Sequence, residues 1–190
     1  MIEIETGDLI LVQGKSKVAK IIRMVMDDYA WQEGIKDKLT YSHAMTAVRI
    51  ENNLYVAEAV ENGFRLRSFY GHYDLDKDDL AVFKPQVPFT FEEKAIIRSY
   101  AIYLQEVNNF YEYWALLMFL PYVYGTWKWK GKRHRINLFG KGNYFSVYCY
   151  EGSYRIGKRV KPLWYPKNPE VVTCFDLQVP QMILAYINVP

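Results

Sequence analysis

The sequence predicts an α+β domain in which a small antiparallel sheet is followed by helices. Three observations carry this. Between Ser42 and Lys84, short β-branched or alternating runs are separated by turn chemistry at Glu51-Asn52-Asn53 and Asn62-Gly63. From Phe91 onward the apolar period changes to that of a helix, with Ile96, Ile97, Tyr100, Tyr103 and Leu104 at helical spacing. The chain has 190 residues, 51% of them hydrophobic, which is material for a real core and excludes intrinsic disorder. One domain over residues 1–190 is expected.

Gly7-Asp8 reads as a turn feeding a short buried strand, Leu9 to Val12. Ser16 reads as the N-cap of an amphipathic helix. Val18, Ile21, Ile22 and Val25 form its inward stripe, Lys15, Lys17, Lys20 and Arg23 its polar side, and its end is expected near Asp27. Tyr29 to Thr40 lacks a sustained period and reads as a loop bordering a site. Ser42 to Ile50 and Leu54 to Val60 then form a hairpin, followed by strands over Phe64 to Phe69 and Leu80 to Lys84, with Pro85 and Pro88 closing the region.

Thr90, with Glu92 and Glu93 behind it, caps a helix predicted over Phe91 to Val107. A second helix is predicted from about Tyr111 to Tyr124 and a short third one from Cys149 to Gly157. The Pro-rich tail from about 162 is expected to be irregular and to wrap the surface.

Charge and motifs remove several function classes. Lys and Arg number 24 against 21 Asp and Glu, a formal charge of +3, which steers a polyanion only weakly. Lys128, Lys130, Lys132, Arg133 and Arg135 interleave with Trp127 and Trp129, but such a run suits a solvated loop or an anionic glycan as well, so nucleic-acid binding is not expected. Glu3, Glu5 and Asp8 interrupt what would be a signal peptide, giving a chain expected to be cytoplasmic as synthesised. Trp114 to Tyr124, broken by Pro121, is too short to span a bilayer.

Two cysteines allow no disulfide scaffold, and the three histidines lack ligand spacing, so neither a metal nor a cofactor is expected. Asp74, Asp76 and Asp78 open like a calcium loop, yet Asp79 and Pro85 occupy the positions where that loop needs Gly and Glu.

Chemistry concentrates elsewhere. A turn at Glu51-Asn52 sets His43 opposite Val60 and makes Glu58 its diagonal neighbour on the same face, so the carboxylate can orient the imidazole. A slip by one residue would put the two on opposite faces. Glu58 lies in Val56-Ala57-Glu58-Ala59-Val60, where burial is costly without a partner. The plain alternative is a core histidine beside an edge carboxylate. Cys149 precedes a helical pattern, and a helix N-terminus favours negative charge on sulfur; the plain alternative is a buried structural cysteine.

Gly7-Asp8-Leu9-Ile10-Leu11-Val12, Ser42-His43-Ala44, Glu58-Ala59, Asn62-Gly63-Phe64-Arg65-Leu66-Arg67 and Cys149-Tyr150-Glu151 together resemble the circularly permuted papain-like hydrolases. These form the YiiX/YaeF-like branch of the NlpC superfamily, related to lecithin:retinol acyltransferase. Tyr111-Glu112-Tyr113 and Thr173-Cys174-Phe175-Asp176-Leu177 look like two further motifs of that branch.

The resemblance implies a permuted papain-like fold with Cys149 as nucleophile, His43 as base and Glu58 as the residue that orients it. The backbone N–H of Cys149 is expected to donate to the oxyanion, and Tyr41 and Gln13 are candidates for the second donor. Tyr150 stands where the branch has Ser, and Gly152 where a helix would prefer an aliphatic residue. The function implied is a cysteine amidase or peptidase acting on a peptide or peptidoglycan peptide; the lack of a signal peptide leaves delivery by a phage particle or a secretion system open. The alternatives are a lipid acyl hydrolase or acyltransferase with the same three residues, and an inactive binding or structural module.

Overall fold

The structure, a computed structural model, describes residues 2–36, 39–107, 110–111, 124–129, 132–135, 146–147, 149–167 and 172–188. Its centre is a six-stranded antiparallel sheet. In chain order the strands are β1 (Leu9–Val12), β2 (His43–Ile50), β3 (Asn53–Val60), β4 (Gly63–Ser68), β5 (Leu80–Pro85) and β10 (Met182–Asn188). In space they run β10-β5-β1-β2-β3-β4. β1 lies between β2 and β5, with Leu9 opposite both Thr46 and Phe83, which explains why its four residues are all apolar and buried.

The two faces of the sheet have different partners. Leu9, Leu11, Ala44, Phe83 and, further along, Ala57 and Phe64 face the helices. Ile10, Val12, Met45, Val56 and Val82 face a layer built from Ile4, Phe69 and Leu75. α2 (Phe91–Val107) forms where the sequence predicts it, opened by a capping box: Thr90 N–H donates to the Glu93 carboxylate and Glu93 N–H to the Thr90 hydroxyl.

α1 (Lys17–Glu33) corrects the expected boundary near Asp27. Tyr29 continues the inward stripe and stacks on Phe175 with ring centroids 6.3 Å apart, so the helix continues to a left-handed Gly34 that donates to the carbonyls of Ala30 and Trp31. Its buried face also differs. Ala19, Val25, Met26 and Tyr29 turn inward, while Val18 and Ile21 are more than half exposed, because the apolar residues of this helix mark two overlapping stripes and the core takes only one.

The tail is regular from Cys174 onward, where the sequence predicts an irregular one. α4 (Cys174–Leu177) is followed by β10, which pairs with β5 as an edge strand, and Val172, Phe175, Leu177 and Met182 join the core. No proline falls between Pro180 and Pro190, and the β-rich run Met182–Asn188 between them completes the sheet.

Of the helix expected over 111–124, residues 112–123 lie outside the described residues, and Phe110–Tyr111 form a short strand, β6, parallel to β9 (Ser146–Val147). The basic aromatic segment pairs as a two-stranded ladder, β7 (Thr126–Trp129) with β8 (Lys132–Arg135). No helix among the described residues is long and apolar enough to cross a membrane.

α3 (Cys149–Val160) lies close against the sheet, and Gly152 sits at its tightest approach. A Cβ there would come within 2.5 Å of the Phe64 ring, so the glycine at this position admits the helix to the sheet. Gly152→Ala should therefore lower the unfolding free energy by about 1–3 kcal/mol in a denaturant titration, and Phe64→Leu in the same chain should restore part of it. A neutral Gly152→Ala would show that α3 does not need this approach.

Candidate active site

The β2–β3 hairpin sets the site. Ile50 pairs with Asn53 and Met45 with Glu58, which is the register that a Glu51-Asn52 turn dictates and the one that places His43 and Glu58 on one face. The His43 Nε2 and Glu58 Oε2 atoms are 2.6 Å apart. Glu58 is completely buried, and a lone carboxylate there would be strongly destabilising. It has two further partners: the Tyr73 hydroxyl donates to Oε2 at 2.7 Å and the Arg67 guanidinium to Oε1 at 3.3 Å.

These contacts decide the charge states. Burial alone would raise the Glu58 pKa, but the hydrogen bond and charge of His43, then the Tyr73 hydroxyl and the Arg67 charge, bring it below the ordinary carboxylate value. Burial alone would lower the His43 pKa, but its interactions with Cys149 and with the Glu58 carboxylate raise it to about 10. Tyr73 is pushed up by burial and by Glu58, so its phenol stays a donor.

Cys149 is the first residue of α3, buried, with its thiol 3.8 Å from the Ser42 carbonyl and within hydrogen-bonding reach of the imidazole. Because Nε2 is held by Glu58, Nδ1 is the ring nitrogen left for sulfur. The Ser42 hydroxyl donates to the Val12 carbonyl and accepts from Gly14 N–H, fixing the backbone that carries His43. The Tyr150 hydroxyl donates to the Tyr41 carbonyl, so this side chain ties the start of α3 to the backbone just before β2.

The structure thus brings Cys149, His43 and Glu58 together. Cys174 sits in the core beneath them, its thiol pushed up to about 12 by burial. The two candidate second donors fare differently from that triad. Gln13 has its amide engaged at the Thr40 carbonyl and the Arg23 guanidinium, and Tyr41 is fully buried against Phe83. Neither lines the cleft of about 710 Å³ into which His43 opens, and Cys149, itself buried, lies behind the lining as well.

Sequence reasoning missed Tyr73 and Arg67 as supports of Glu58. Arg67 had a readable signal, since a carboxylate in the middle of an apolar strand needs more than one imidazole and a basic residue stands on the next strand. Tyr73 comes from the segment after β4 and carries no pattern that would place it there.

The linkage has opposite signs for the two partners. The stability that His43 gains from its neighbours is complete below its ordinary value of 6.5, declines above it and is gone beyond about 10. That of Glu58 is complete above its ordinary value of 4.5 and is lost as pH falls through its lowered one. The difference in unfolding temperature between the parent and His43→Gln should therefore be widest near pH 6 and close as pH approaches 10. A difference that does not change with pH would mean that His43 is not held as an imidazolium.

No family model matches the chain, and no curated protein does. Among solved structures, the metalloprotein YiiX of Escherichia coli O157:H7 is similar, with a TM-score of 0.61 over 100% of both chains at 15% identity. Among the described residues, no three of His, Cys, Asp and Glu are grouped to hold a metal ion. What the likeness shows is the architecture: this chain has the α+β, papain-like fold of YiiX.

Proposed function

We propose that the chain is a cysteine-dependent hydrolase that cleaves an amide in a peptide or peptidoglycan peptide, built as in the circularly permuted papain-like branch of the NlpC superfamily. The observation that supports this most is the imidazole of His43, set between a buried carboxylate 2.6 Å away and a thiol at the first residue of a helix. In the chain order His43, Glu58, Cys149, the base precedes the nucleophile, as a permuted papain-like domain requires.

In the proposed reaction, Cys149 sulfur attacks the amide carbon as His43 holds the proton. A C–S bond forms and the carbonyl oxygen takes the negative charge, facing the backbone N–H of Cys149. His43 then gives its proton to the nitrogen, the C–N bond breaks and the amine leaves a thioester. Water attacks the thioester, His43 accepts a proton from it, the C–S bond breaks, and the acid and Cys149 are released. Glu58 stays ionised throughout, holding the ring orientation and stabilising the imidazolium.

An acyl hydrolase or acyltransferase with the same three residues is the second reading, favoured by the apolar wall that Val18 and Ile22 give the cleft. The products separate the two. Purified protein should release amines from muropeptides or short peptides and leave phospholipid vesicles intact, with Cys149→Ala inactive. Acyl release from lipid without amine release from peptide would favour the second reading.

Iodoacetamide at pH 6 should label Cys149 faster than Cys174, whose burial raises its thiol to about 12. His43→Ala should slow that labelling, and Glu58→Gln should fold yet lose most of its turnover. Equal labelling of the two cysteines, or an unchanged rate in His43→Ala, would remove the nucleophile assignment.

A further inference from the structure

We propose that the cleft beside His43 recognises a carboxylate of the substrate through Arg65, an inference that rests on the hydrolase reading of the same site. Arg65 pairs directly with Glu58 across the β3–β4 ladder, and Arg67 pairs with Val56, so both arginines leave the sheet on the face that carries His43 and Glu58. Both line the cleft. Their roles differ. Arg67 donates to Glu58 and is part of the support of the base. Arg65 donates from one terminal nitrogen to the Phe64 carbonyl at 2.9 Å, and no carboxylate among the described residues forms a salt bridge with it.

The charges facing this space are few and can be set against each other. His43, Arg65 and Arg67 are the cations in the lining, and Glu58 and Glu61 are the acids. Glu58 is already engaged by His43, Tyr73 and Arg67, and Glu61 lies exposed on the turn between β3 and β4. A guanidinium is left facing the cleft. Its planar fork matches a carboxylate, with two parallel N–H donors for two oxygens. A phosphate dianion beside a single available guanidinium and the Glu61 carboxylate would be left undercompensated.

The opposite side is apolar, formed by Val12 from β1 and by Val18, Ala19 and Ile22 from α1. The cleft therefore fits an amide substrate with an apolar group toward α1 and a carboxylate toward β4. Directly paired residues have Cβ atoms roughly 5 Å apart, so an anion on Arg65 lies within about a residue's length of the groups around the imidazole.

The test measures binding in Cys149→Ala, where no turnover intervenes, by isothermal titration calorimetry. The probes are two matched pairs, acetyl-Leu-Ala with a free carboxylate against its carboxamide and acetyl-Leu-Glu-amide against acetyl-Leu-Gln-amide, together with inorganic phosphate. The acid of at least one pair should bind about tenfold more tightly than its neutral partner. The pair that discriminates identifies a terminal or a side-chain carboxylate.

Adding Arg65→Gln should bring acid and neutral probes to within about twofold, without lowering the unfolding temperature, and Arg65→Lys should retain part of the preference. Equal binding within both pairs, a preference that persists in Arg65→Gln, or tighter binding of phosphate than of either acid would overturn the proposal. Labelling of Cys149 and amine release are separate measurements, so the chemistry can stand if this recognition fails.

Discussion

A fully buried carboxylate, Glu58, organises this molecule. An ionised carboxylate is tolerated inside a sheet only when every side of it meets a donor, and here the donors come from three places: His43 on β2, Arg67 on β4 and Tyr73 from the segment beyond β4. The requirement constrains the fold as well as the site. A one-residue slip of the β2–β3 ladder would turn Glu58 toward the helices and His43 away from it, so the same ionic group that orients the imidazole also penalises the wrong register. Removing any one partner leaves charge uncompensated, which couples the site to the stability of the sheet.

The second constraint is how closely α3 lies on the sheet. Cys149 can meet His43 only if its helix approaches the strands, and Gly152 against Phe64 is where that approach is tightest. Tyr150 then ties the same helix turn to the backbone just before the Ser42-His43 pair. Tyr150 and Gly152, the residues on either side of Glu151 at the start of this helix, thus both serve to dock it.

Much of this was legible in the sequence because short-range rules decided it. The turn at Glu51-Asn52 fixes which residues share a face, and the Thr90–Glu93 capping box fixes where α2 begins. What was not legible depended on tertiary contacts. The last turns of α1 are held by Tyr29 stacking on Phe175, far away in the chain, and β10 is a strand because β5 offers it an open edge. The same holds in the candidate site. His43 and Glu58 are joined by a hairpin and can be paired by counting, whereas Tyr73 reaches Glu58 through a bend that no local pattern specifies.

Everything at the site rests on Glu58 and the Cys149 sulfur holding His43 as an imidazolium well into alkaline solution. Nitrogen NMR of the His43 ring across a pH titration measures this directly. An imidazolium signal should persist through neutral pH and be lost only as pH approaches about 10, with the loss moving to lower pH in Glu58→Gln. Titration of the ring near the ordinary histidine value of 6.5, unchanged by Glu58→Gln, would contradict it.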